Sequence, residues 1–343
     1  MKIQSLYIEI TNQCNLNCRT CYNRSGYNRQ RRELSACQIE QIITLFLPYG
    51  LQRVLLSGGE PTLHTEFDSI LDLADRYPQL TFAIATNGTN ASQKLIDCLN
   101  TRKNLSLQVS LDGSDEEQNA AIRGTGHFEE VISFARQIHS PCSKPLLKMV
   151  VSRSNIADVE NFCNLALSIG FTPELAFLYR SGNGLEHWES RKLSPQQKLQ
   201  VLKLIDRINA TQNADIFLPL CTDSCPFTGD NPNLSLCIKT DGSIQPCQML
   251  YDSTFTLGNV LSFDEPSFLD RLSVLSDLAR KRLNRDYGCA KCLLNGHCGK
   301  GCMAEAFQLH GNPLAADDSC SYRKLQLLYH DINPQLLRNE DAP

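Results

Sequence analysis

Along the first half of the chain, short apolar β-branched runs alternate with segments whose apolar positions recur every three or four residues. The runs are Leu6–Ile10, Val54–Leu56, Phe82–Ala85, Leu105–Val109, Leu147–Val151 and Leu175–Tyr179. Runs this short, bounded by turn residues, read as buried strands. Between them, Ile39, Ile42, Ile43 and Phe46 fall at helical spacing behind Ser35 and Gln38, a capping box. Phe67, Ile70, Leu71 and Ala74 repeat that spacing, as do Ile156, Val159, Cys163 and Ala166 in a segment stopped by Gly170. Six strands alternating with helices predict parallel pairing through right-handed crossovers. Six units fall short of the eight in a closed barrel. The expected fold is therefore α/β: a partial (β/α)6 TIM-type barrel over residues 1–180, with its chemistry at the C-terminal ends of the strands.

After the sixth run the pattern changes. Residues 180–193 read as a linker, and Ser194-Pro195 opens a helix with Ser as N-cap and Pro in the first turn, so 181–218 is expected to be linker and helix. Residues 219–332 consist of short segments, turns and cysteines. Such a region buries little apolar surface and is expected to need metal to hold its fold. A polar tail, 333–343, is expected to fray.

Composition sharpens this picture at one residue type. Sixteen cysteines in 343 residues is far above ordinary usage. No basic segment leads into an apolar signal core, and no apolar run is long enough to span a bilayer, so the expected location is cytoplasmic. A reduced compartment disfavours a disulfide scaffold and points to metal ligation. Net charge is −4, which gives no electrostatic reason to expect nucleic acid or an anionic membrane as partner.

The cysteines are grouped. Cys14, Cys18 and Cys21 follow the first strand as CxxxCxxC, and nine of the sixteen lie from Cys221 to Cys320. Three thiolates in eight residues can wrap one inorganic centre and leave one coordination position open, either on a [4Fe–4S] cluster or on catalytic zinc. Spacing alone does not decide between them.

Context does. The triplet on the loop after the first strand resembles the radical S-adenosylmethionine (SAM) superfamily, in which the amine and carboxylate of SAM occupy the open iron. Ser57-Gly58-Gly59-Glu60-Pro61 resembles that family's GGEP motif, whose backbone and Glu hold the methionyl ammonium. Its glycines suit a chain that approaches a ligand with no Cβ in the way. Thr86-Asn87-Gly88 and Ser110-Leu111-Asp112-Gly113 match strand-end positions that contact the sulfonium, ribose or substrate. Arg123, in Arg-Gly-Thr-Gly, matches an arginine that reaches the SAM carboxylate. One position departs from the pattern. Thr20 stands where the family has an aromatic against the adenine. The resemblance implies that one electron from the cluster cleaves SAM to a 5′-deoxyadenosyl radical, which abstracts a hydrogen atom from an unactivated C–H bond.

In the second group, Gly242-x4-Cys247 is followed by Cys289-x2-Cys292-x5-Cys298-x3-Cys302 and then Cys320, with Cys221, Cys225 and Cys237 near its start. This resembles the SPASM domain, which carries two auxiliary iron–sulfur clusters, expected here as [4Fe–4S]. The resemblance implies Cys289, Cys292, Cys298 and Cys320 for one cluster, and Cys225, Cys247 and Cys302 with Cys221 for the other. Cys237 competes for the fourth place but reads as a core cysteine in a strand-like run.

Cys98 and Cys163 fall on apolar helix faces and read as core. Cys37 and Cys142, nearer element ends, are the positions from which a thiol could donate hydrogen to a substrate radical, as in epimerases. Arg24, Arg29, Arg31 and Arg32 form a basic stretch, read as a solvated loop, with docking of an acidic peptide as the alternative. His64 reads as ending a turn.

Radical SAM enzymes with SPASM domains mostly modify peptides or proteins. The expected function is hydrogen abstraction from a ribosomally made peptide to install a crosslink or an oxidation. The expected partners are that peptide, presented by a separate peptide-recognition protein or bound directly by strand addition at an exposed edge, and an electron donor such as flavodoxin or ferredoxin. No recognition domain is expected ahead of the first strand. The alternatives are an anaerobic sulfatase-maturating enzyme, a peptide epimerase, action on a small molecule and a non-enzymatic iron–sulfur carrier. The sulfatase-maturating reading places an Asp base directly after the Gly-x4-Cys cysteine, where this chain has Gln248.

Overall fold

The computed structural model describes residues 2–27, 30–186, 188–216, 218, 225–228 and 233–332. Arg29, Cys221 and the tail from 333 lie outside the described residues. Six parallel strands form in the expected places: β1 (Lys2–Thr11), β2 (Arg53–Gly58), β3 (Thr81–Thr86), β4 (Leu105–Ser110), β5 (Leu146–Val151) and β6 (Thr172–Phe177). Each pairs with the next in sequence, the arrangement of a partial (β/α)6 barrel. Alternation along β1 shows how the sheet divides its faces. Leu6, Ile8 and Ile10 are buried in the main apolar core, with Ile39, Ile43 and Phe46 of α1 (Ala36–Phe46). Tyr7, Glu9 and Thr11 take the other face and carry polar contacts.

The capping box ahead of α1 is present, with Ser35 and Gln38 exchanging side chain–backbone hydrogen bonds. The helix expected from Phe67 to Ala74 is two pieces, α2 (Phe67–Leu71) and α3 (Leu73–Arg76). The break has a visible cause: Arg102 donates to the Leu71 carbonyl at 2.7 Å and pairs with Asp72 at the junction. α4 (Gln93–Thr101), α5 (Glu116–Arg123), α6 (His127–Ala135) and α7 (Val159–Ser168) complete the barrel's outer layer.

The segment expected as a linker is not a free connection. It contains a short 3-10 turn at Gly182–Leu185 and α8 (Trp188–Arg191), and Ser181, Asn183 and Trp188 are buried. Long α9 (Pro195–Gln212) begins with the expected Ser194 cap, which forms a second capping box with Gln197.

Among the described residues the strands form one nine-stranded sheet that runs past the barrel. β7 (Asn233–Ile238) pairs in parallel with the free edge of β1, and β8 (Ser243–Gln245) and β9 (Gly258–Asn259) continue it antiparallel. The cysteine-rich part is thus hydrogen-bonded to the barrel edge, which β1 would otherwise leave unpaired. α10 (Glu265–Leu283) and α11 (Met303–His310) pack against this extension, and α12 (Cys320–Ile332) packs against α9.

Candidate active site and auxiliary cysteine sites

The loop carrying Cys14, Cys18 and Cys21 leaves the C-terminal end of β1, and all three thiols are half-buried. They lie within electrostatic range of one another. Burial pushes the Cys14 thiol up to about 12, with Glu60 and the other two cysteines adding to the shift. Burial also raises Cys18, although the Arg123 cation opposes it. Thiols so placed ionise only when a cationic centre replaces the lost solvent.

The end of β3 and the end of α5 aim N–H groups at these sulfurs. Asn87 Nδ2 lies 4.0 Å from Cys14 Sγ, and Arg123 Nη1 lies 3.8 Å from Cys18 Sγ. Hydrogen bonds to sulfur are one of the means by which proteins tune iron–sulfur clusters. Among the described residues, no three His, Cys, Asp or Glu side chains converge where a single metal ion could sit. A cluster of several irons spaces its thiolates more widely, so half-buried thiols with N–H donors on two sulfurs fit one.

The glycines after β2 serve the protein's own backbone. Gly59 N–H donates to Thr11 O at 2.8 Å, and Glu60 N–H to Gln13 O at 2.7 Å. A Cβ at Gly59 would strike the Gln13 carbonyl, and one at Gly58, whose φ is +131°, would strike Thr11 O. What these glycines let approach is the start of the cysteine loop.

The Glu60 side chain is fully enclosed and takes four protein donors: Thr62 N–H and Oγ1, Thr86 Oγ1 and Asn87 N–H, at 2.6 to 3.1 Å. It braces the ends of β2 and β3 against each other, and Pro61 opens the turn that follows. Asp112 is likewise enclosed. It accepts from Val150 N–H at 2.8 Å and lies 2.9 Å from Arg123 Nε, at an angle outside hydrogen-bonding geometry. Thr20 turns its hydroxyl toward Asp112 at 3.5 Å, and Ser110 is half-buried at the end of β4.

Three features were not singled out from the sequence. His127 joins the strand ends: its Nε2 lies 2.8 Å from Asn87 O, and Nδ1 accepts from Asn119 Nδ2 at 2.9 Å. Asn119 Oδ1 in turn accepts Asp112 N–H at 3.0 Å. Tyr7 bridges Tyr22 at 2.7 Å and Ser57 at 2.5 Å, linking the residue after Cys21 to the end of β2. Residues 181–186 and 188–191 form a strap over the cysteine loop. Ser181 Oγ donates to Tyr22 O, Asn183 N–H to Cys21 O, Asn183 Nδ2 to Cys18 O and Arg191 to Arg19 O, at 2.8 to 3.0 Å. Asn183 Oδ1 is buried with no hydrogen-bond partner among the described residues. No periodicity signals such a strap; a short Ser-Gly-Asn-Gly run resembles any loop.

The remaining candidates are placed plainly. Cys98 and Cys163 are buried, Cys37 is exposed and Cys142 half-buried. His64 accepts Glu66 N–H and contacts Leu34 O, closing a turn. Arg24 pairs with Glu186 and Arg31 with Glu33.

In the C-terminal part, Cys225, Cys247 and Cys302 line one cavity of about 430 Å³ beside the end of β6. Burial raises all three thiols, Cys302 to about 12. Cys237 does not line this cavity; it is buried on β7 opposite Tyr7. Cys289, Cys292 and Cys298 are half-buried, and exposed Cys320 opens α12. One turn later on the same helix face, Arg323 lies within electrostatic range of Cys298.

A partial parallel barrel with a three-cysteine loop and polar strand ends at its C-terminal mouth is the arrangement of a radical SAM domain. Residues 8–166 match the model of the Radical SAM superfamily, and the chain carries that domain, which binds a [4Fe–4S] cluster and SAM. The chain is 28% identical over 323 residues to mycofactocin maturase MftC of Mycolicibacterium smegmatis, covering 90% of this chain and 80% of that one. Streptococcus suis SuiB bound to precursor peptide SuiA superposes with a TM-score of 0.74 at 17% identity, covering 93% of this chain and 76% of that one. anSMEcpe with bound AdoMet gives 0.76 at 18% identity and 98% of both chains. At such identities the two solved structures establish likeness of fold. Among the described residues no helix is long and apolar enough to cross a membrane.

Proposed function

We propose that this chain removes a hydrogen atom from a side chain of a ribosomally made peptide and so installs a crosslink or an oxidation. The observation that carries the reading is the convergence of Asn87 and Arg123 N–H groups on the Cys14 and Cys18 sulfurs. The names of its relatives supply the substrate class: one is a maturase, and a structural neighbour was solved with a precursor peptide.

A [4Fe–4S] cluster with SAM, held by Cys14, Cys18 and Cys21, supplies the radical chemistry when bound. The chain's own residues do the rest. Arg123 places a buried cation beside Cys18 and offsets thiolate charge. Gly58, Gly59, Glu60 and Pro61 at the end of β2, with Asn87, Ser110, Asp112 and Arg123, are the residues that would hold SAM. The enclosed carboxylates of Glu60 and Asp112 act as braces, because protein donors already engage them. Ser181, Asn183 and Arg191 tie the cysteine loop down through the Tyr22, Cys21, Cys18 and Arg19 carbonyls.

Cys225, Cys247 and Cys302, with Cys221, are assigned to one auxiliary cluster, and Cys289, Cys292, Cys298 and Cys320 to the other. A two-electron outcome needs an acceptor for the second electron, which such clusters supply. A flavodoxin or ferredoxin is the proposed donor to the first cluster, and a separate protein presents the peptide. Formylglycine formation is the weaker reading, because Gln248 carries an amide that cannot serve as a carboxylate base.

The test is anaerobic reconstitution, with iron and sulfide counted and 5′-deoxyadenosine assayed from SAM and dithionite. Iron near three cubane clusters is expected, with deoxyadenosine abolished in a Cys14/Cys18/Cys21→Ala variant that keeps its auxiliary iron. Zinc in place of iron, or no SAM cleavage by the loaded protein, overturns the proposal.

A further inference from the structure

Asp317 and Arg323 form a buried ion pair between the two C-terminal cysteine sets. Arg323 Nη1 donates to Asp317 Oδ2 at 2.8 Å and Nη2 to Oδ1 at 2.7 Å. The side chains are 6% and 0% exposed for Arg323 and Asp317 respectively, so solvent screens this fork little.

Both partners meet one cysteine set, and Arg323 lies near the other as well. Both line the cavity shared by Cys225, Cys247 and Cys302, and Asp317 Oδ2 also accepts the Cys302 backbone N–H at 2.9 Å. On the other side Arg323 lies within electrostatic range of the Cys298 thiol. The contact with the Cys302 segment is close. Gly301 has φ +77°, and a Cβ there would collide with Asp317 Oδ2 and Arg323 Nη1. Arg323 Nε is buried with no partner among the described residues.

Fold stability gives little reason to keep such a pair, since a buried ion pair often contributes no more than apolar residues of the same volume. Its position gives a better reason. A thiolate-bound cluster carries negative charge, and reduction adds another unit. A fixed cation nearby favours the reduced form, and a fixed carboxylate opposes it. Both effects are strong where little water intervenes.

We propose that the Asp317–Arg323 pair is a shared electrostatic control on the two auxiliary clusters. Arg323 eases reduction at both sites, and Asp317 limits that effect while holding the Cys302 ligand segment in place. This rests on the assignment of the C-terminal cysteines to two clusters.

The test is an anaerobic redox titration followed by electron paramagnetic resonance (EPR). It uses the full chain with Cys14, Cys18 and Cys21 replaced by Ala, so that only auxiliary clusters report. Arg323→Gln leaves the carboxylate unbalanced and is expected to lower both midpoints. The reduced-to-oxidised ratio at fixed potential should fall about tenfold, equivalent to about 59 mV for one electron. Asp317→Asn is expected to raise them by a similar factor, and Arg323→Lys, which keeps the charge, should stay near the parent. Opposite signs for the two single changes are the signature, because simple loosening of the fold would move both the same way. Asp317→Asn is nearly isosteric and still accepts from Cys302 N–H, so it loads iron even if Arg323→Gln does not, and its upward shift then decides alone. Unchanged midpoints, or shifts of one sign, at full iron content overturn the proposal. A parent with no auxiliary iron overturns the cluster assignment itself, and the iron count separates that outcome from the others.

Discussion

Asn183 donates its side-chain amide N–H to the carbonyl oxygen of Cys18 across 2.8 Å, joining residues 165 positions apart. Its backbone N–H reaches Cys21 O as well, so one residue of the strap holds the loop at two of its three cysteines. Asn183→Ala leaves the Cys18 carbonyl without this donor. A buried unmet partner costs about 1–3 kcal/mol. The first cluster should then lose iron to a chelator roughly tenfold faster, the equivalent of about 1.4 kcal/mol. Cluster absorbance during chelation measures this, and a wild-type rate would show that the strap is incidental.

Gly59 makes a sharper steric prediction. A Cβ there would meet the Gln13 carbonyl head-on, whereas one at Gly170, with φ +81°, meets nothing within 4 Å. Gly170→Ala should cost about 1 kcal/mol of backbone strain and leave iron content intact. Gly59→Ala should displace the cysteine loop and remove about one cluster's worth of iron while auxiliary iron remains. Iron analysis of the two variants decides it, and equal iron in both would refute the steric account.

The Tyr22–Tyr7–Ser57 chain ties the third cysteine's neighbour to the end of β2. Tyr7→Phe keeps the ring and deletes the shared hydroxyl, leaving two buried hydroxyls short of a partner, at about 1–3 kcal/mol. SAM binding is expected to weaken several-fold with iron content unchanged. SAM titrations followed by the EPR of the reduced cluster measure the shift, and unaltered affinity would confine Tyr7 to packing.

These contacts mark where the sequence stops being legible. All six barrel strands follow from apolar runs, and the caps at Ser35 and Ser194 follow from local chemistry, because each is written within a few neighbouring residues. The cysteine triplet is legible for the same reason. Residues such as Asn183, His127 and Tyr7 act through partners distant in sequence, and a single polar residue has no period. Glu60 illustrates the converse: its motif is visible, but the enclosure of its carboxylate by Thr62, Thr86 and Asn87 depends on how two strand ends meet. The break at Asp72 likewise needs Arg102, thirty positions on. The pairing of β7 with β1 joins strands more than two hundred positions apart, which no local pattern encodes.

His127 gives the chain a predictable acid weakness. Burial lowers its pKa to about 4, with the Arg123 cation adding and the Asn87 contact opposing. The unfolded value is about 6.5, so the native state takes up the proton less readily than the unfolded one. The associated stability is complete above pH 6.5 and is lost as pH falls toward 4, in total of the order of 3 kcal/mol. Urea unfolding at pH 7.5 and 4.5 should therefore show a larger acid loss for the wild type than for His127→Gln. The carboxylate background is common to both, so parallel pH profiles would contradict the buried neutral imidazole.

Cys237 and Cys221 compete for one ligand position, and the cavity geometry bears on Cys237. Cys225, Cys247 and Cys302 share a cavity that Cys237 does not line. Cys237 instead faces Tyr7 across the β1–β7 ladder, 1% exposed, and burial raises its thiol well above the ordinary range, with Glu9 adding to the shift. A thiol in that position packs as a small apolar group. Cys237→Ala should therefore cost about 1 kcal/mol for the small cavity it leaves, with iron and sulfide content unchanged. Cys221→Ala should perturb the auxiliary cluster assigned to Cys225, Cys247 and Cys302, lowering iron or altering its EPR signal. Iron counts and EPR spectra of the two variants side by side measure the contrast. Iron lost from Cys237→Ala but kept by Cys221→Ala would reverse the assignment and place the fourth ligand on β7.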